Sequence, residues 1–171
     1  MMIGVSGKKQ SGKDTSLGII KTFLGEKYNI RHYYFSRVVK HFGETYFGVD
    51  PKTKNKELFR FVWQGIGKMM REEVQKDYWI QQEYQEYLKD KNLYDNILGV
   101  VTDVRYRNEA DFFVQNNFPL IRIYRPGVFS SDSHESEVEL DNYNFDYVIV
   151  NDGSIEDLKQ KWKTTLESIN L

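Results

Sequence analysis

Nine residues near the amino terminus have the types and order needed to hold a phosphate chain: Gly7-Lys8-Lys9-Gln10-Ser11-Gly12-Lys13-Asp14-Thr15. Gly7 and Gly12 place no side chain between backbone and ligand, and both can take positive φ without a steric penalty. Successive N–H groups then form an anion nest at the start of a helix, where the helix dipole also favours negative charge. Lys13 adds a mobile cation for the β- and γ-phosphates. The position after that lysine usually carries a Ser or Thr hydroxyl for Mg²⁺. Here it is Asp14, with Thr15 one residue later, so Thr15, or Asp14 through water, has to serve a metal. A glycine-rich turn without a ligand is the alternative, and the order strand, loop, lysine, helix argues against it.

A second group follows the apolar run Ile97–Thr102 as Thr102-Asp103-Val104-Arg105. An acidic residue at the carboxyl end of a buried strand is placed to organise Mg²⁺ or an acceptor hydroxyl. Arg105 offers a planar fork for an acceptor phosphate. The alternative makes Asp103 the N-cap of a helix from about Asn108 and puts Arg105 in a surface ion pair. Between residues 37 and 95 stand Gln64, Gly65, Gly67, Arg71 and Trp79. Gln64 suits a base edge and Arg71 an acceptor phosphate. The two glycines, each costing a helix about 1 kcal/mol, suggest close approach of another group. A kinked helix packing on the sheet is the competing account for the glycines, and Trp63 and Trp79 read as core rather than substrate-stacking. Arg125 opens a polar stretch, 125–144, from which a cation could close over a transferring phosphoryl group. Inside that stretch, His134-Glu135-Ser136-Glu137 has one histidine among carboxylates, a pattern more often solvated than metal-bound. Asn151-Asp152-Gly153 forms either a backbone contact for adenine or a plain turn.

The elements that must position these groups are legible as short apolar runs alternating with helical patterns, the signature of a parallel sheet with crossover helices. The runs are Met2–Ser6, Arg31–Phe35, Ile97–Thr102, Pro119–Tyr124 and Tyr147–Val150. Helical spacing joins Phe59, Val62, Trp63, Ile66 and Met70, then Ile80, Tyr84, Tyr87 and Leu88, and finally Ile155, Leu158, Trp162, Leu166 and Ile169. Ser154 and Asp157 read as a capping box for the last helix. The expected fold is α/β: a three-layer α/β/α arrangement with a five-stranded parallel sheet and a lid between strands four and five. One domain, 1–171, is expected, with a helical acceptor-binding region at about 37–95 and the lid at about 125–144.

Composition narrows the class. The 171 residues suffice for one sizeable core. A net charge of −1 provides no global field toward nucleic acid or membrane. The absence of cysteine removes disulfides, thiolate metal sites and cysteine nucleophiles. A strand starting at residue 1 or 2 leaves no room for a signal peptide, and no run of about 18 apolar residues exists for a membrane span. A cytoplasmic protein is the expectation. Aromatics, 15% of the chain, are assigned to core and half-buried surface.

Taken together, the GKKQSGKDT loop, the block Asp103-Val104-Arg105-Tyr106-Arg107-Asn108-Glu109-Ala110, the His134–Glu137 element and Asn151-Asp152-Gly153 resemble the deoxynucleoside monophosphate kinases of tailed phages, in order and spacing, over nearly the whole chain. The ending Leu140-Asp141-Asn142, Phe145-Asp146 and Ile149–Gly153 is also similar to animal-type phosphomevalonate kinases. The resemblance implies an adenylate-kinase-like fold and ATP-dependent phosphorylation of a monophosphate, in the host cytoplasm if the gene is a phage's. Under it, Gly7–Thr15, Asn151 and Gly153 hold ATP, and Lys13, Arg105 and Arg125 are catalytic. Gln64, Arg71, Trp79, Asp103 and Arg105 hold the acceptor, and Asp14, Thr15 and Asp103 serve Mg²⁺. Small molecules are the expected partners, without nucleic acid or membrane, and a homodimer is allowed. A phosphomevalonate-type kinase and a non-catalytic nucleotide-binding regulator are the competing functions, and the arginines at 71, 105 and 125 argue against the regulator.

Overall fold

In the computed structural model, residues 1–48, 56–128 and 138–171 are described. Five strands, β1 (Met2–Ser6), β2 (Asn29–Tyr33), β3 (Ile97–Val104), β4 (Leu120–Tyr124) and β5 (Tyr147–Val150), form one sheet in the order β2-β3-β1-β4-β5. Every pairing is parallel, with Ile3 opposite Val100, Val5 opposite Ile121 and Ile123 opposite Ile149. The central strand β1 is buried at all five positions, which is why it reads as a continuous apolar run rather than an alternating one.

Helices cover both faces. α1 (Lys13–Leu24) and α6 (Ile155–Ser168) pack on the side of Ile3, Val5, Val100, Ile121 and Ile123. α4 (Tyr78–Leu93) and α5 (Arg107–Gln115) pack on the side of Met2, Val101 and Leu120, through Tyr87 and Phe113. Between β2 and β3 the chain also forms α2 (Arg37–Phe47) and α3 (Lys56–Met69), the latter running into a π-helical turn, Met70–Val74. α6 begins as expected, with Ser154 Oγ accepting from the Asp157 N–H and Asp157 accepting from the Ser154 N–H.

The second strand lies two residues earlier than the expected Arg31–Phe35. Its ladder ends at Tyr33 because the Phe35 and Ser36 N–H groups go to the Asp103 carboxylate, each at 3.0 Å. Asn29 and Ile30 pair instead with Ile97 and Leu98. The polar Asn29 and Arg31 concealed this because β2 is a sheet edge, only partly buried until Tyr33.

The glycine expectation divides. A Cβ at Gly65 would meet nothing within 4 Å among the described residues. One at Gly67 would come within 3.3 Å of an Arg71 amine, and the Gly67 carbonyl accepts from Trp79 Nε1 at 3.2 Å. The tightest helix approach in this region lies elsewhere, at Gly43, whose missing Cβ makes room for the Trp63 indole.

One core contact reaches the phosphate loop directly. Trp162, fully buried on α6, donates from Nε1 to Ser16 Oγ at 2.9 Å, and that hydroxyl donates to the Gly12 carbonyl at 2.8 Å. Trp162→Ala should therefore cost about 3–5 kcal/mol in urea unfolding followed by circular dichroism. Trp162→Phe, which mainly loses the hydrogen bond, should cost roughly 1–2 kcal/mol. Equal losses in the two variants would show that the indole N–H contributes the whole effect and packing none.

Candidate active site

All five strands are parallel, so their carboxyl ends share one edge, where ligands of open α/β sheets bind. That edge collects the loop after β1, the start of α2 after β2, Asp103 and Arg105 at the end of β3, Arg125 after β4 and Asn151 after β5.

The loop is held in a cradle shape by its own backbone and by neighbours. Gly12 has φ 108°, the left-handed region that favours glycine, and a Cβ there would lie 2.7 Å from Asn151 Nδ2. That same amide donates to the Ser11 carbonyl at 2.8 Å. A Cβ at Gly7 would meet Ser11 Oγ and the Ile123 carbonyl. Lys13 is nearly buried, and its Nζ donates to the carbonyls of Gly7 and, at 2.7 Å, Lys8. The lysine thus bridges the loop across its own carbonyls. Lys9, Gln10, Asp14 and Thr15 are exposed, Lys8 is half-buried, and Arg125 reaches the Gln10 carbonyl from β4's end at 3.5 Å.

Asp103 is the hub of the opposite wall. Its two oxygens accept from the Phe35 and Ser36 N–H groups, and its charge acts on His32, Glu83 and Glu109. It does not cap the following helix. That helix starts at Arg107, and its first N–H groups are served by Glu109, which accepts from Arg105 at 2.6 Å and Tyr106 at 3.0 Å, and by Glu139, which accepts from Arg107 at 2.8 Å. Arg71 stacks on the Tyr106 ring, 3.9 Å from its centroid, and its charge is felt by Glu109. Arg71, Asp103 and Arg105 are therefore neighbours around Glu109, although 32 residues separate the first two in sequence.

Asp103 and, less, Asp14 both act electrostatically on His32, whose Nε2 lies 2.8 Å from Thr102 Oγ1. Among the described residues, no three His, Asp or Glu side chains gather closely enough to hold a metal ion unaided. Two hard oxygen donors facing a phosphate loop fit Mg²⁺, which keeps several waters and takes its other ligands from substrate phosphates. Ser16, the other hydroxyl of this helix turn, is committed to Gly12 and Trp162.

Other expected residues are placed differently. Trp79 is 5% exposed and belongs to the core, so it offers no open stacking surface. Gln64 is half-buried and Gly153 exposed. His134–Glu137, with 129–137 of the lid, lies outside the described residues, as does the side chain of Phe59. Among the described residues, no helix is long and apolar enough to cross a membrane.

Three groups of residues escaped the sequence. Arg122 donates to Ser6 Oγ at 2.9 Å and to Asp141 at 3.1 Å, and Asp141 also takes Lys8 at 2.8 Å. This ties β4 and the chain at Asp141, late in the 125–144 stretch, to the phosphate loop. Arg37 and Glu83 pair at 2.8 Å. Glu109 is the third. The available signals were a charge inside the apolar run Leu120–Tyr124 and an acid inside the stripe Ile80, Tyr84, Tyr87.

A model of the family described as "Deoxynucleotide monophosphate kinase" matches residues 55–162, more than half of the chain. The chain belongs to this family. A deoxynucleotide monophosphate kinase of Enterobacteria phage T4 is 37% identical over 91 residues, 53% of this chain and 37% of that protein. An Acanthamoeba polyphaga mimivirus protein provisionally named for the same activity is 49% identical over 59 residues, 34% of this chain and 31% of its own length. The chain thus matches about a third of the length of these curated relatives. In fold it resembles a dephospho-CoA kinase from Campylobacter jejuni, with a TM-score of 0.53 at 15% identity, covering 98% of this chain and 96% of that one. The phosphate loop lies outside the matched span, whereas the Asp103–Ala110 block lies within it.

In this member of the deoxynucleotide monophosphate kinase family, burial, and next the charge of Asp103, push the Glu109 carboxyl up to about 8, against the pull of the Arg105 and Tyr106 N–H groups and of Arg71. The folded chain then holds this proton more tightly than the unfolded one. The associated stability is full below the ordinary value of 4.5 and is lost as pH rises toward about 8. Melting curves of wild type and Glu109→Gln between pH 5 and 8 should converge or cross as pH rises, each kcal/mol moving the midpoint about 2–4 °C. Parallel pH profiles for the two proteins would refute a protonated Glu109.

Proposed function

We propose that this protein is an ATP-dependent kinase converting deoxynucleoside monophosphates to diphosphates for DNA synthesis. The observation that carries this is the facing of a preformed phosphate loop and a wall of Asp103, Arg71 and Arg105 across one sheet edge, in a chain of this family. A nucleotide-binding regulator would need the loop but not a second cationic wall.

In this reading ATP lies along Gly7, Lys8, Lys9, Gln10, Ser11, Gly12, Lys13, Asp14 and Thr15, with Asn151 and Gly153 toward the adenine. Lys13 leaves the Gly7 and Lys8 carbonyls for the β- and γ-phosphate oxygens. Exchange of two carbonyl contacts for anionic oxygens strengthens each hydrogen bond of its ammonium. Asp14, Thr15 and Asp103 would hold Mg²⁺, which supplies charge neutralisation on the phosphate oxygens. Arg71 and Arg105 hold the acceptor phosphate, Gln64 reads the base, and Arg125 acts from the lid, 125–144, on the transferring phosphoryl group. The helical region 37–95 forms the acceptor side of a single domain. A monophosphate oxygen is already anionic, so no strong general base is required. Alignment, charge compensation and exclusion of water are the protein's contributions.

The test is ADP release with a panel of deoxynucleoside monophosphates, with phosphomevalonate as a parallel acceptor. Turnover of at least one deoxynucleoside monophosphate is expected. Turnover of phosphomevalonate alone, or of nothing, would sink the proposal. Lys13→Ala should lower kcat at least a hundredfold with an unchanged circular dichroism spectrum, because one preorganised charge contact in a phosphoryl-transfer site commonly contributes about 3 kcal/mol. Near-normal activity in that variant would remove Lys13 from the donor site.

A further inference from the structure

The pair Arg37–Glu83 is built in an unusual way. Glu83 sits on α4 and is completely buried, while the Arg37 side chain, on the first residue of α2, is 44% exposed. Glu83 Oε1 accepts from Arg37 Nε at 2.8 Å, and Oε2 has no hydrogen-bond partner among the described residues. Arg37 is thus anchored through Nε, and its two terminal amines carry no ion pair or hydrogen bond among the described residues.

As a stabilising device this is poor. Desolvating a carboxylate that deeply costs several kcal/mol, and an apolar residue at the same place is often neutral or better. The stripe Ile80, Tyr84, Tyr87 that Glu83 interrupts shows what such a residue would have packed against. The location accounts for the arrangement. Phe35 and Ser36, immediately before Arg37, donate their N–H groups to Asp103, and the Asp103 charge also acts on Glu83. The pair therefore stands beside the acceptor wall. A guanidinium held at Nε keeps the rigid fork that matches phosphate oxygens, which an ammonium cannot reproduce.

We propose that Arg37 is a further acceptor-phosphate ligand and that Glu83 is its positioning residue, holding Nε from within the core so that both terminal amines remain available to the monophosphate. This deepens the functional reading above and rests on it. The full chain carrying Arg37→Ala, Arg37→Lys, Glu83→Gln or the Arg37→Ala/Glu83→Gln pair is assayed with monophosphate varied at saturating ATP, then the reverse. Arg37→Ala should raise KM for the monophosphate tenfold or more and leave KM for ATP within twofold. Arg37→Lys should behave alike. Glu83→Gln should give a smaller rise of the same kind, and the double variant no more than Arg37→Ala alone. An unchanged monophosphate KM in Arg37→Ala or Arg37→Lys overturns the assignment, and these two variants decide it if Glu83→Gln fails to fold. Full additivity in the double variant, or equal rises in both KM values for Glu83→Gln, overturns the positioning role. A wild type that turns over no deoxynucleoside monophosphate defeats the functional reading itself, before any variant is compared.

Discussion

The crowding of carboxylates around Asp103 is the constraint to which the rest of the site answers. Asp103 sits in the electrostatic reach of Glu83 and Glu109, and with Asp14 it acts on His32. Burial, and next the Asp103 charge, push the Glu109 carboxyl up to about 8, and burial raises Glu83 as well. The fold answers each carboxylate with donors: two backbone N–H groups for Asp103, two for Glu109, the Arg37 guanidinium for Glu83. Those donors come from the β2–α2 junction, the first residue of α2 and the residues before α5, so satisfying the carboxylates also fixes where two helices begin. The early end of β2 is one visible consequence, since its last would-be ladder groups are taken by Asp103.

A second network keeps the phosphate loop shaped from the other side of the sheet. Asn151 after β5, Arg122 on β4 and Trp162 on α6 reach Ser11, Ser6 and, through Ser16, Gly12. Lys13 closes the loop onto its own carbonyls. Such support lowers the reorganisation that binding would otherwise require. Asp141 joins this network by taking both Lys8 and Arg122, which couples the end of the 125–144 stretch to the loop.

How much was legible follows from the range of each interaction. β1, β5, the last helix and its capping box depend on a few adjacent residues, and local pattern located them. The phosphate loop is equally local, since glycines, lysine and strand–helix flanks lie within twenty residues. β2 was misplaced because its edge position lets polar residues pair, and because its end is determined by a carboxylate 67 residues away. Trp79 stood in the acceptor set, yet its residue pattern read as core, and its indole is taken up by the core and the Gly67 carbonyl. The ion pairs of Arg37 with Glu83 and of Arg122 with Asp141 join residues 46 and 19 positions apart, beyond any periodicity.

By itself the sequence determined the chemistry available to this protein: a phosphate loop with aspartate where a hydroxyl is usual, an acid at the end of a buried strand, and an alternating pattern that compels a parallel sheet. Only the tertiary structure decided which charges meet. Parallel strands bring their carboxyl ends to one edge whatever their spacing in the chain, and desolvation there makes each buried acid find a donor, for Glu83 from another element. That pairing, absent from any local pattern, selected Arg37, Glu83 and Arg122, whereas Glu109 is served by N–H groups only three and four residues before it.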